Sequence, residues 1–98
     1  MWIKLQEWMG GRGTEGGIVI DDEEYDNSCR FTLEKCKAYY AVTCGVYGSM
    51  VHTAFFDEED YQQKYEEMKQ ELASFVDRMD SLNEDERSDF YGQFCDKY

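Results

Sequence analysis

Four cysteines and one histidine are the residues of this chain with the most chemistry to offer. Cys29, Cys36, Cys44 and Cys95 could ligate a metal together with His52, or one thiolate could act as a nucleophile beside the imidazole. Structural zinc sites pair their ligands at short spacing, as in Cys-x2-Cys. Here six, seven and fifty residues separate successive cysteines. That spacing favours buried thiols acting as small apolar groups, and no metal or cofactor is expected. A Cys/His pair would need the base within hydrogen-bond reach of the thiol. The surrounding negative charge would also raise a thiol pKa and keep it protonated.

The carboxylates form two contiguous runs, Asp21–Glu24 and Asp57–Asp60. Acid/base pairs and cation sites need carboxylates that converge. Consecutive residues on a strand alternate faces, and on a helix they spread around the axis. The Asp-x-Asp-x-Asp-Gly spacing of a calcium loop is missing. The plain meaning of such runs is a solvated face. Gly10–Gly17 carries five glycines in eight residues. A phosphate cradle would need a Gly-Lys-Ser/Thr ending and a following helix, and neither is present. A flexible loop is expected there. No catalytic motif emerges, so the chain reads as a non-enzyme.

The elements that position these residues are organised around Tyr39–Phe56, a run rich in Val, Thr, Tyr and Phe with His52 as its one ionisable group besides tyrosine and cysteine. Ninety-eight residues predict a single α+β domain with one core. Four antiparallel strands are expected over about 18–56, with a possible fifth among residues 2–9. In that N-terminal strand Ile3, Leu5 and Met9 would form the apolar face. Residues 18–25 begin as a strand and turn acidic, and that acidic end is expected to be solvated or at an edge. Asp26-Asn27-Ser28 is turn chemistry. Cys29, Phe31 and Leu33 alternate with Arg30, Thr32 and Glu34. A two-residue turn at Cys36-Lys37 would set Cys29 opposite Cys44 and Leu33 opposite Tyr40. A two-residue turn at Tyr47-Gly48 would set Cys44 opposite Val51 and Tyr40 opposite Phe55. His52 would then point to the face opposite Cys44. The expected product is a meander sheet.

Two helices complete the plan. Asp57 is expected to cap the first, over about 58–79. Tyr61, Tyr65, Met68, Leu72, Phe75, Val76 and Met79 recur at spacings of three and four. Asn83 and Glu86 have the spacing of a capping box for a second helix over about 83–97. That helix carries Phe90, Tyr91, Phe94 and Tyr98 as a stripe. Both helices are expected on one face of the sheet.

The formal net charge is −12, from 22 acidic and 10 basic residues. Residues 1–56 hold 8 acids and 5 bases, and residues 57–98 hold 14 acids and 5 bases. Direct contact with nucleic acid or an anionic membrane rests on a basic footprint, which is lacking. No apolar run reaches the eighteen or so residues of a membrane helix. The N-terminus is too polar for a secretory segment, so a soluble cytoplasmic protein with reduced thiols is expected.

A basic protein partner is favoured. The first functional reading is a small acidic inhibitor that occupies a basic, nucleic-acid-binding surface of another protein. In size, charge and architecture the chain resembles the broad class of small acidic phage and bacterial inhibitors, such as anti-CRISPR and nuclease-immunity proteins. It shares no motif with them, and no residue carries over. The candidate partner-binding residues are Asp21, Asp22, Glu23, Glu24, Tyr25, Asp26, Tyr47, Asp57, Glu58, Glu59 and Asp60. Among the aromatics, Tyr25, Tyr47 and Tyr98 are the expected exposed contacts. The alternative reading is a non-catalytic assembly module, a homodimer joined through the sheet or the aromatic C-terminal helix.

Overall fold

The computed structural model describes residues 1–98. It is an α+β fold with five antiparallel strands in sequential order. The strands are β1 (Trp2–Lys4), β2 (Ile18–Tyr25), β3 (Cys29–Lys35), β4 (Tyr40–Val46) and β5 (Met50–Phe56). Two helices follow, α1 (Tyr61–Arg78) and α2 (Glu84–Lys97), joined by a short 3-10 turn over Met79–Ser81. No helix is long and apolar enough to cross a membrane.

The core lies between the sheet and α1, because the inner face of each central strand is apolar. Phe31, Val42, Met68, Leu72 and Phe75 are fully buried there. The predicted helical stripe supplies Tyr65, Met68, Leu72 and Phe75, with Lys69 buried beside them. Tyr61 stacks on Tyr40 with ring centres 3.7 Å apart. α2 docks by its aromatics: Phe90 stacks on Phe75 at 4.2 Å, and Phe94 is buried. Its start is the predicted capping box. Asn83 Oδ1 accepts from the Glu86 N–H at 2.8 Å, and Glu86 Oε1 accepts from the Asn83 N–H at 3.0 Å. Asp57 closes the turn before α1 by accepting the Asp60 N–H at 2.9 Å, while Asp60 occupies the cap position without a side-chain bond.

Both central hairpins depart from the expected register. The β3–β4 loop holds four residues, Cys36–Tyr39, so Leu33 pairs with Val42 and Cys29 with Val46. Cys29 therefore does not face Cys44. A two-residue hairpin needs positive φ, and Cys36-Lys37 offers no Gly or Asn to supply it. The shift is two residues, so every side chain keeps its face. At the β4–β5 turn the loop holds three residues, Tyr47-Gly48-Ser49, with Gly48 at φ +75°. This glycine-dependent three-residue loop displaces the pairing by one. The displacement inverts β5. Met50, His52, Ala54 and Phe56 turn inward, and Val51, Thr53 and Phe55 turn outward. Cys44 pairs with His52, which places them on one face, contrary to expectation.

The N-terminus also differs. β1 is only three residues, and its inward residues are Trp2 and Lys4. Trp2 packs on Tyr25 at 5.1 Å and Phe31 at 5.8 Å, while Ile3 is exposed. Gly10–Gly17 is a structured fold-back across the outer face of the sheet. It is held by Gly10 N–H to Val19 O at 2.9 Å and Gly13 N–H to Gly17 O at 2.8 Å.

Candidate protein interface

The eleven candidate residues separate into two sets with different physics. Within Asp21–Glu24, alternate side chains take opposite faces of β2, and both faces are covered there. Glu23 faces α1 and is buried against Lys69, with Oε2 to Nζ at 2.6 Å. The same ammonium lies 4.9 Å from the Trp2 ring centre and 5.1 Å from that of Tyr65. A charge this deep needs both a carboxylate and polarisable walls. Asp21, on the same face, meets Lys4 Nζ at 2.6 Å and accepts from the Tyr65 hydroxyl at 2.8 Å. Burial alone would raise the Asp21 carboxyl, but its bonds with Glu23, Lys4 and Tyr65 outweigh it and hold the pKa below the usual range. Glu23 is pushed up, first by burial and then by its contact with Asp21, against the pull of Lys69.

Asp22 points to the other face and is 0 % exposed. Arg30 donates to it through two nitrogens, Nε to Oδ1 at 3.0 Å and the terminal nitrogen to Oδ2 at 2.6 Å. Thr32 Oγ1 adds a third bond at 3.0 Å. The expectation that this run is solvated is therefore corrected for Asp21, Asp22 and Glu23. Burial is possible because each meets a cation; unpaired, it would not be. Glu24 is half-buried and accepts from the Tyr47 hydroxyl. Tyr25 donates to Asp77 at 2.7 Å, and its phenol is raised to about 12, chiefly by that bond. Asp26 is exposed and meets the N-terminal ammonium at 2.6 Å. Tyr98 is half-buried, with its hydroxyl on Glu67 and Glu71.

Asp57, Glu58, Glu59 and Asp60 are all exposed and enter no ion pair. They stand at one end of α1. Its 18 residues span about 27 Å at 1.5 Å per residue. At the far end lie Asp77, Asp80, Glu84 and Asp85, also exposed and without ion pairs. The candidate set omits this second acidic end. The −9 balance of residues 57–98 was its signal, although the charge is scattered in sequence and only the helical hairpin gathers it.

The glycine loop has its own carboxylate to serve. Glu34 is completely buried beneath it. Its Oε1 accepts the N–H groups of Gly17 at 2.9 Å and Glu15 at 3.1 Å. A Cβ on Gly13 would stand 2.2 Å from Glu34 Oε2, so glycine is what admits the side chain. The loop is an anion cradle whose anion is internal.

Cys29 and Cys44 are free and buried, and burial pushes their thiols up to about 11 and about 12. They stay protonated near neutrality. His52 is partly buried, with Nε2 unpartnered and its ring edge-on to Phe94 at 6.1 Å. No three His, Cys, Asp or Glu side chains converge as a metal set. Two adjoining troughs cross the outer face, of about 450 and 350 Å³. They share Arg30, Thr32 and Thr43, and the guanidinium among these is already held by Asp22. No protein-family model, curated protein or solved structure matches the chain.

Proposed function

We propose that this chain is a small acidic inhibitor that binds a basic, nucleic-acid-binding surface of a partner protein. One observation carries the reading: the distribution of cations. Lys4, Arg30 and Lys69 are committed to the carboxylates of β2, while Asp57–Asp60 are left exposed with no counter-charge. Four adjacent carboxylates repel one another, and apart from the turn closed by Asp57 they support no packing. Their field is available to a basic partner, where carboxylates would stand in place of phosphates. The second acidic end of α1 offers a further contact about 27 Å away. Association would be steered by charge and would weaken with added salt. Such an inhibitor needs no cofactor and no catalysis. It would act in the cytoplasm, where anti-CRISPR and nuclease-immunity proteins meet their targets.

The test begins with capture of the partner from the native host. Reversal of the run by Asp57→Lys, Glu58→Lys, Glu59→Lys and Asp60→Lys is expected to abolish binding and leave the circular dichroism unchanged. Nucleic acid is expected to compete with the wild-type chain for the partner. Undiminished binding by the reversed chain would sink the reading.

A further inference from the structure

β5 forms one border of the sheet, and its outer edge is unguarded. None of its backbone groups bonds outside the β4–β5 ladder. Soluble proteins protect such an edge with charge, proline, a bulge or brevity. β1, at the other border, is three residues long and carries Lys4. β5 is seven residues, Met-Val-His-Thr-Ala-Phe-Phe, with no Lys, Arg, Asp, Glu or Pro. Its outward side chains Val51 and Phe55 are 80 % and 54 % exposed. Tyr39 leans edge-on against Phe55 at 5.4 Å, which enlarges the apolar strip.

We propose that two copies of this chain pair antiparallel through β5 and form one continuous ten-stranded sheet. The occupant follows from charge and symmetry. Two molecules of net charge −12 repel wherever carboxylates meet, and β5 itself carries none. A two-fold axis normal to the sheet keeps each residue on its own face, so it must lie midway between the two copies of one residue. Pairing all seven residues sets the axis at Thr53. Val51 then lies opposite Phe55 of the second copy, and the reverse, which are favourable aromatic and β-branched pairs. His52 lies opposite Ala54, and both helical layers stay on the same side of the sheet. Each Asp57 falls four residues from the axis. The two acid runs are then about 27 Å apart along the strand direction, well beyond a Debye length of about 10 Å at 0.1 M salt.

Sedimentation from about 1 to about 100 μM tests this, a range suited to a small interface. The particle is expected to reach twice the chain mass at the upper end. Association is expected to strengthen with salt, because the residual repulsion is screened, whereas partner binding under the proposed function weakens. Val51→Glu with Phe55→Glu sets like charges opposite one another and is expected to weaken association on the order of 100-fold. Val51→Lys with Phe55→Glu sets opposite charges at the same pairs and is expected to restore the dimer. Amides of β5 are expected to exchange more slowly in concentrated than in dilute wild-type protein, a readout that needs no variant. A monomer at every concentration and salt would overturn the proposal, and so would a dimer indifferent to the doubly acidic variant. Failure of the charge-swapped pair to recover would overturn the Thr53-centred pairing.

Discussion

The acid runs Asp21–Glu24 and Asp57–Asp60 are near-duplicates in sequence and opposites in the folded chain. The first lies on a strand covered on both faces: by α1 on one and by the glycine fold-back on the other. Three of its carboxylates are drawn inside and matched to Lys4, Arg30 and Lys69. The second lies where the chain leaves the sheet, with solvent around it, and no cation answers it. A contiguous run of acids therefore has no fixed meaning. Its fate depends on whether the element carrying it is covered, and burial then demands a dedicated partner for each charge.

That contrast can be broken most sharply at Lys69. Lys69→Met leaves Glu23 buried with only the more distant and exposed Lys4 ammonium, at 3.6 Å, and is expected to cost about 3 kcal/mol at neutral pH, measured by denaturant unfolding. The penalty belongs to the ionised carboxylate. The Glu23 pKa is already raised above 4.5, and losing the cation raises it further. A group whose folded pKa is raised is disfavoured in its charged form above that pKa. The gap between variant and wild type should therefore close as pH falls through it. A gap independent of pH would mean that lost packing, rather than the stranded charge, explains the cost.

A smaller effect is expected at Glu34, a buried acid outside that run, which is held by amides in place of a cation. Gly13→Ala drives a methyl into its carboxylate and should cost about 1–3 kcal/mol by the same measurement. No loss of stability would show that the fold-back can lift without penalty, and that Glu34 does not depend on it. The smallest effect is expected at the exposed run. Neutralising Glu58 and Glu59 to glutamine, which leaves the Asp57 turn bond in place, should change folding stability by no more than about 1 kcal/mol. A larger loss would assign these acids a structural role and remove the contrast with β2.

The helices were legible because their signals are local. The spacing of Tyr65, Met68, Leu72 and Phe75 and the Asn83/Glu86 box need no knowledge of distant residues. The strands were legible as strands, but a two-residue turn after Val46 puts β5 on the wrong face. Its orientation depended on one residue of loop length after Val46, and a period of two magnifies that error into a full inversion. Within the candidate site, Asp57–Asp60 were readable as exposed because they follow a strand and precede a helix. Asp21–Glu23 were not readable as buried. Their cations come from residues 4, 30 and 69, and nothing near 21–23 in the sequence announces them. The glycine-rich segment showed its conformational freedom and withheld its occupant, which lies at residue 34.

Composition and periodicity by themselves determined the α+β class, the order of elements, the apolar stripe of α1 and the excess of negative charge in the last 42 residues. These follow from short-range spacing and from counting. Tertiary structure alone decided which carboxylates are neutralised, which face of β5 meets the core, and that the glycine fold-back encloses Glu34. Those outcomes rest on contacts between residues far apart in the chain. There the cost of burying a charge is offset only by whatever partner the fold happens to bring alongside.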